Sequence, residues 1–224
     1  MELTQAVALV TGANRGLGRH LASQLLARGA TVYAGARDPE TIDLPGVVPV
    51  RIDVTDPASV RHAVTAAPDV NLLINNAGSA TGQALLDGDT DLIRLEMETH
   101  YFGTLTVTRA FAPVIEAAGG GAILNVLSVL SWHHPAWAGA YSAAKAAGWA
   151  MTDAVREELA PRGITVSALH VGFMDTDMAA SIPADQKIDP ALVAALALDG
   201  IAAGTPQILA DDVTRGVKAG LAAA

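Results

Sequence analysis

The chain has 224 residues, 51% hydrophobic and 17% charged, a balance that describes one compact domain with a sizeable core rather than a disordered segment. Its formal net charge of −9 argues against a nucleic-acid surface and against attraction to an anionic membrane. It has no cysteine for a disulfide or thiolate metal site, no basic region ahead of an apolar core at the N-terminus, and no apolar run of about 18 residues, so a cytoplasmic protein acting on a small molecule, with no nucleic-acid or membrane partner, is expected.

Ala6–Val10 is a short valine-rich run, followed at once by Thr11-Gly12-Ala-Asn14-Arg15-Gly16-Leu17-Gly18 and then by Leu21, Ala22, Leu25 and Leu26 at helical spacing. This reads as strand, glycine turn and helix. Backbone N–H groups at such a helix N-terminus suit a pyrophosphate. Gly12 permits the tight turn, Gly16 the approach of the ligand and Gly18 close helix–strand packing, with Asn14, Arg15 and Leu17 in the same cradle. The spacing is not the G-x-G-x-x-G of the usual dinucleotide fingerprint.

Thr31–Ala36 is a second strand, ended by Arg37-Asp38-Pro39. In a doubly wound sheet the adenosine ribose lies here; an acidic residue binds its hydroxyls, whereas an arginine suits a 2′-phosphate. Arg37, with Arg15 as a second positive charge, favours NADP(H), while Asp38 keeps NAD(H) open. A third strand, Val47–Ile52, leads to Asp53 and Val54 at the ligand crevice, and Asp56 before Pro57 reads as the N-cap of a helix to about Ala67. Val70–Ile74 is a fourth strand, closed by Asn75-Asn76-Ala77-Gly78, small residues that let the backbone pass beside a cofactor; Asn75, Ala77 and Gly78 are the expected contacts.

Asp89 to about Ala118 reads as helical with a break near His100, and its Leu92, Leu95, Met97, Phe102, Leu105 and Val107 are assigned to the core. Ala122–Leu127 is a fifth strand delivering Ser128. The following loop carries Trp132, His133, His134 and Trp137, expected with Phe173 and Met174 to line an apolar substrate pocket. No carboxylate or cysteine sits at ligand spacing from the paired histidines, so no metal site is expected. A helix from about Gly139 to Ala160 opens with Tyr141 and Lys145, one turn apart on one face. A lysine ammonium so placed stabilises a phenolate and would let the tyrosine exchange a proton near neutral pH.

Ile164–Leu169 is a sixth strand, followed by His170-Val171-Gly172-Phe173-Met174-Asp175-Thr176. Residues 172–200 are expected to hold a substrate lid, and residues 190 to 222 are alanine-rich and mostly helical. No seventh strand is legible. Strands and helices alternate throughout, which argues for an α/β fold: one Rossmann-type doubly wound parallel sheet of about six strands, helices on both faces, in a single domain over residues 1–224.

Thr11-Gly12-x-x-x-Gly16-x-Gly18, Asp53-Val54, Asn75-Asn-Ala-Gly78, Ser128, Tyr141-x-x-x-Lys145 and Gly172-x-x-x-Thr176 together resemble the short-chain dehydrogenase/reductase family over nearly the whole chain. The resemblance implies a nicotinamide cofactor and carbonyl–alcohol redox chemistry. Tyr141 would be the acid/base, Lys145 would lower its pKa and bind the nicotinamide ribose, Ser128 would hold the substrate oxygen, and Thr176, with Val171 and Gly172, would meet the carboxamide end. Three departures stand out. His100 takes the place of the family's helix-four asparagine in the proton relay, Val171-Gly172 replaces the usual Pro-Gly, and the missing seventh strand favours a homodimer through the fourth and fifth helices. The leading expectation is an NADP(H)-dependent reductase of a bulky apolar ketone or quinone. A reductase-type oxygenase component acting on a quinone or polyketide-like aromatic in secondary metabolism is a second reading, and a non-catalytic dinucleotide sensor a third.

Overall fold

The structure, a computed structural model, describes residues 1–221. Ala222, the end of the expected C-terminal helical stretch, and the last two residues of the expected domain lie outside the described residues. Strands β1 (Val7–Thr11), β2 (Thr31–Ala36), β3 (Val48–Arg51), β4 (Leu72–Asn75), β5 (Gly121–Val126), β6 (Ile164–His170) and β7 (Gln207–Leu209) form one parallel sheet in the order β3-β2-β1-β4-β5-β6-β7. The six expected strands are present. The expectation of no seventh is corrected: β7 pairs Gln207–Leu209 with Ala168–His170. Three residues after a Gly-Thr-Pro turn are too few to display an alternating pattern, and the pairing itself makes them a strand.

Helices α1 (Gly16–Ala27) and α6 (Pro190–Ala203) cover one face. Helices α2 (Pro57–Ala66), α4 (Thr104–Ala117) and α5 (Gly139–Leu159) cover the other. Alternation along the strands feeds two cores. Ala8, Val10, Leu72, Ile74 and Leu124 meet Leu21, Leu25 and Leu198, while Leu9, Leu73 and Ile123 meet Val60, Phe111 and Ile115. Asp56 caps α2 as expected, accepting the Ala58 N–H at 2.9 Å with Pro57 in the first turn. Asp189 does the same for α6. A last helix, α7 (Asp212–Leu221), follows β7. Among the described residues no helix is long and apolar enough to cross a membrane.

The long helix of residues 89–118 departs most from its sequence reading. Helix α3 (Thr90–Met97) runs without a break into a π-helical turn, Glu98–Gly103, and on into α4. Leu92, Leu95 and Phe102, assigned to the core, are exposed, whereas Glu96, Thr99 and His100 are buried. Val107 does join the core. The extra residue of a π turn rotates the helix face, so a period of 3.6 counted across it assigns the wrong side.

Candidate active site

The strand order reverses between β1 and β4, and open α/β sheets take ligands in the crevice outside the carboxyl ends of such strands. The glycine turn lies there. Gly12 and Gly16 have φ of 66° and 53°, in the left-handed region that disfavours any side chain. A Cβ on Gly18 would stand 2.2 Å from the Gly12 carbonyl oxygen. Arg15, the N-cap of α1, places no side-chain bond on the first-turn N–H groups, which stay available to an anion. These residues fit the pyrophosphate of a dinucleotide: the cradle is open where a Cβ would close it, and its donors are uncommitted.

Asn76, not singled out from the sequence, holds this cradle together. Its side-chain amide donates to the carbonyls of Thr11 (2.9 Å) and Gly12 (3.2 Å), and the Thr11 hydroxyl accepts the backbone N–H groups of Asn76 and Ala77. Asn75, an expected cofactor contact, instead turns its side chain into the core and donates to Asn125 (2.8 Å) and Thr108 (3.1 Å). Period-two counting along β4 contains this signal, because Asn75 falls on the face of Leu73 under α4. Leu17 is a core residue of α1. Asn14 donates to Thr41 at 3.1 Å, and Arg15 meets Asp177 at 3.4 Å. Arg37 is exposed just beyond β2 and makes no ion pair among the described residues. The Asp53 carboxylate accepts from the Thr55 N–H and hydroxyl, and buried Val54 lies against Gly103. Val171 is buried and accepts the Val129 N–H, and Thr176 faces Gly16. The Val171-Gly172 turn is pinned by Asp211, which accepts the Gly172 N–H at 2.7 Å and the Thr214 N–H of α7 at 2.7 Å. Asp211 thus supplies by side chain the stiffness expected of the absent proline.

Ser128, Tyr141 and Lys145 come together at the carboxyl end of β5. Ser128 starts a short 3-10 turn, its hydroxyl accepting the Leu130 N–H at 3.1 Å. Lys145 is buried, donates to the Val126 carbonyl at 2.8 Å and sits 5.4 Å from the centre of the Tyr141 ring. Burial draws the lysine down to about 8, with the Glu96 carboxylate acting against it. Burial first, and the Glu96 carboxylate second, push the Tyr141 phenol above the usual tyrosine range, while the Ser128 hydroxyl acts the other way. Tyr141 therefore holds its proton at neutral pH.

His100, delivered by the π turn, presents its ring edge-on to Tyr141, with centroids 5.0 Å apart. Its Nε2 lies 2.8 Å from the Ser79 carbonyl and 3.2 Å from Glu96 Oε2. Gly78 leaves room for it, since a Cβ there would be 2.7 Å from His100 Cε1. Glu96 also accepts the Ser79 hydroxyl at 2.9 Å and the Thr81 backbone N–H. Burial alone would raise this carboxyl, but the bonds from His100 and Thr81 outweigh it and hold Glu96 at about 2. Burial, then the charge of Lys145, holds His100 below the ordinary imidazole value against the opposing pull of Glu96.

The expected substrate residues divide. Trp137 is exposed and stacks on Phe173, and His133 and His134 are exposed on the same loop. Trp132 and Met174 lie deeper. Trp132 is buried, stacked on His170 at 3.9 Å with the Lys218 ammonium over its ring. His170 in turn reaches the Ser128 carbonyl at 3.2 Å, so Trp132 supports the back of the site rather than its mouth. Met174 bridges to Ile188 and packs against the core beneath α6. Met178, Leu85 and Leu86 are exposed instead, and Leu85 abuts Gly139 at the start of α5. A cleft of about 260 Å³ is bounded by Arg15, Gly78, Ser79, Ala80, Asp177 and Met178, beside this constellation. A wider hollow of about 640 Å³ lies at the amino end of β7, where Arg156 is already bonded to Asp153 and two carbonyls, and it has no part in the chemistry.

Known proteins share this fold. The family model described as short chain dehydrogenase matches residues 6–187. A solved short chain dehydrogenase from Burkholderia cenocepacia, in complex with NADP, is 41% identical, superposes with a TM-score of 0.95, and is matched over 100% of this chain and 95% of its own. One from Burkholderia phymatum, in complex with NAD, is 25% identical with a TM-score of 0.87 over 97% of this chain and 93% of its own. The 3-oxoacyl-(acyl-carrier-protein) reductase of Salmonella typhimurium is 31% identical over 84% of this chain and 81% of its own. This chain therefore belongs to the short-chain dehydrogenase family, as one of its oxidoreductases.

Proposed function

We propose that the protein reduces the carbonyl of a bulky apolar ketone or quinone, with NADPH preferred over NADH. The observation that carries the reading is the convergence of Tyr141, Ser128 and Lys145 beside the glycine cradle. The phenol there is protonated at neutral pH and so suited to donate. The bound dinucleotide supplies a hydride to the carbonyl carbon. Ser128 and Tyr141 hold the carbonyl oxygen by hydrogen bonds, and the Tyr141 hydroxyl gives its proton to that oxygen. Lys145, charged below about 8, favours the phenolate left behind. Arg37, exposed and without an ion pair among the described residues, supports recognition of a 2′-phosphate, as does the NADP in the Burkholderia cenocepacia relative. Trp137 on Phe173, with Leu85, Leu86 and Met178, supports an apolar substrate.

Tyr141→Phe removes the proton donor and keeps the ring. It should lower turnover at least about a hundredfold, the lower range for acid–base catalysis, while dinucleotide titration stays unchanged. Near-parental rates would remove Tyr141 from this role. Parallel assays of NADPH and NADH oxidation against bulky ketones and quinones test the rest: faster use of NADH contradicts the part given to Arg37. The same reading places the enzyme in the cytoplasm, which membrane-free cell fractionation checks. Exposed Leu92, Leu95 and Phe102, next to α4, support a homodimer through α4 and α5. Light scattering at the mass of one chain would rule that dimer out.

A further inference from the structure

A buried carboxylate is costly unless its lone pairs are used, and Glu96 is the one buried carboxylate among the described residues. It sits on a helix whose leucines face outward, so its inward position must be held by what it meets. One oxygen takes the Thr81 N–H; the other takes the Ser79 hydroxyl and faces His100 Nε2. That same ring nitrogen also lies 2.8 Å from the Ser79 carbonyl. Two acceptors, the nearer at 2.8 Å, outweigh the longer 3.3 Å approach of the Ser79 N–H to the same nitrogen and favour a proton there, which leaves Nδ1 bare in the neutral ring. Gly78 and Tyr141 bound the ring from two further sides.

We propose that Glu96 is a positioning residue for the reaction at Tyr141: it acts through His100, fixing the imidazole as the Nε2–H tautomer beside the phenol. The inference rests on the reading of Tyr141 as the acid/base. The titratable groups that bear on the His100 ring are Glu96 from α3 and Tyr141 and Lys145 from α5. Removing the carboxylate charge lowers the proton affinity of all three together, because Glu96 raises each of them.

The test is the pH profile of carbonyl reduction. E96Q keeps an oxygen for the Thr81 N–H, presents an amide N–H where the second oxygen met Ser79 and His100, and loses the charge. It should reduce kcat about tenfold, leave the KM for NADPH within about twofold, and move the alkaline limb to lower pH by about one unit. E96D, still charged, should leave the limb in place. In an H100N background E96Q should cost less than about twofold, since the residue it acts through is gone. The position of a limb does not depend on how much of a preparation is folded, so a destabilised E96Q still answers. An unmoved limb in E96Q, a shift in E96D as large as in E96Q, or the full tenfold loss repeated in the H100N background each overturns the proposal. Tyr141→Phe separates the two readings. If it is inactive while the E96Q limb stays put, this inference alone fails; if it is active, the acid/base reading fails first.

Discussion

The glycine turn after β1 and the π turn after α3 meet at one short piece of backbone. A Cβ on Gly12 would touch Ala77, and one on Gly78 would touch His100. The two are built in opposite ways. The glycine turn is specified by what its residues lack: no side chain fits, and the backbone alone forms the cradle. The end of α3 and the π turn are specified by what their residues carry, the Glu96 carboxylate and the His100 imidazole, tolerable inside because they meet each other and the Ser79–Thr81 segment. The first tolerates nothing added; the second tolerates nothing removed.

That contrast can be broken most forcefully at Glu96. Glu96→Ala takes the acceptor from the Thr81 N–H and the Ser79 hydroxyl and leaves the His100 N–H only the Ser79 carbonyl, and should cost about 4 kcal/mol of stability, as several groups left short of partners do together. Urea unfolding that finds less than about 1 kcal/mol would make the pair a surface-like contact. Gly18→Ala attacks the other region by addition. Its methyl would collide with backbone on the Gly12 carbonyl and with the Asn76 amide, which cannot both move aside. A loss of about 3 kcal/mol and a collapse of dinucleotide affinity are expected, read by melting and by titration. Unchanged affinity would show that the cradle flexes. The smallest effect belongs to Asp211→Ala, which frees the Gly172 turn and uncaps α7 together, for about 1 to 2 kcal/mol in thermal melting. A wider loss of turnover than of stability in that variant would tie the turn to catalysis.

Much of the molecule was legible before any coordinates. Six strands, the covering helices and the Asp56 cap follow from short-range signals, namely valine-rich runs, periodic leucines and a Pro after an Asp. The glycine turn and the Tyr141/Lys145 pair were legible for the same reason: a required φ or an i, i+4 spacing is a property of neighbouring residues. The misses share a different cause. Leu92, Leu95 and Phe102 were misplaced because a π turn shifts the helical phase, and Trp132 because an aromatic beside histidines reads the same at a mouth as behind a wall.

The sequence by itself determined the order of elements, the open cradle after β1 and the presence of a tyrosine one turn from a lysine. Each depends on covalent geometry within a few residues. Only the tertiary structure decided that Asn76 rather than Asn75 braces the cradle, that Asp211 pins the Gly172 turn, that β7 exists, and that Glu96 turns inward to Ser79 and Thr81. These depend on partners 15 to 65 residues away or on a sheet edge, and a buried polar group takes its orientation from whichever distant donor or acceptor satisfies it.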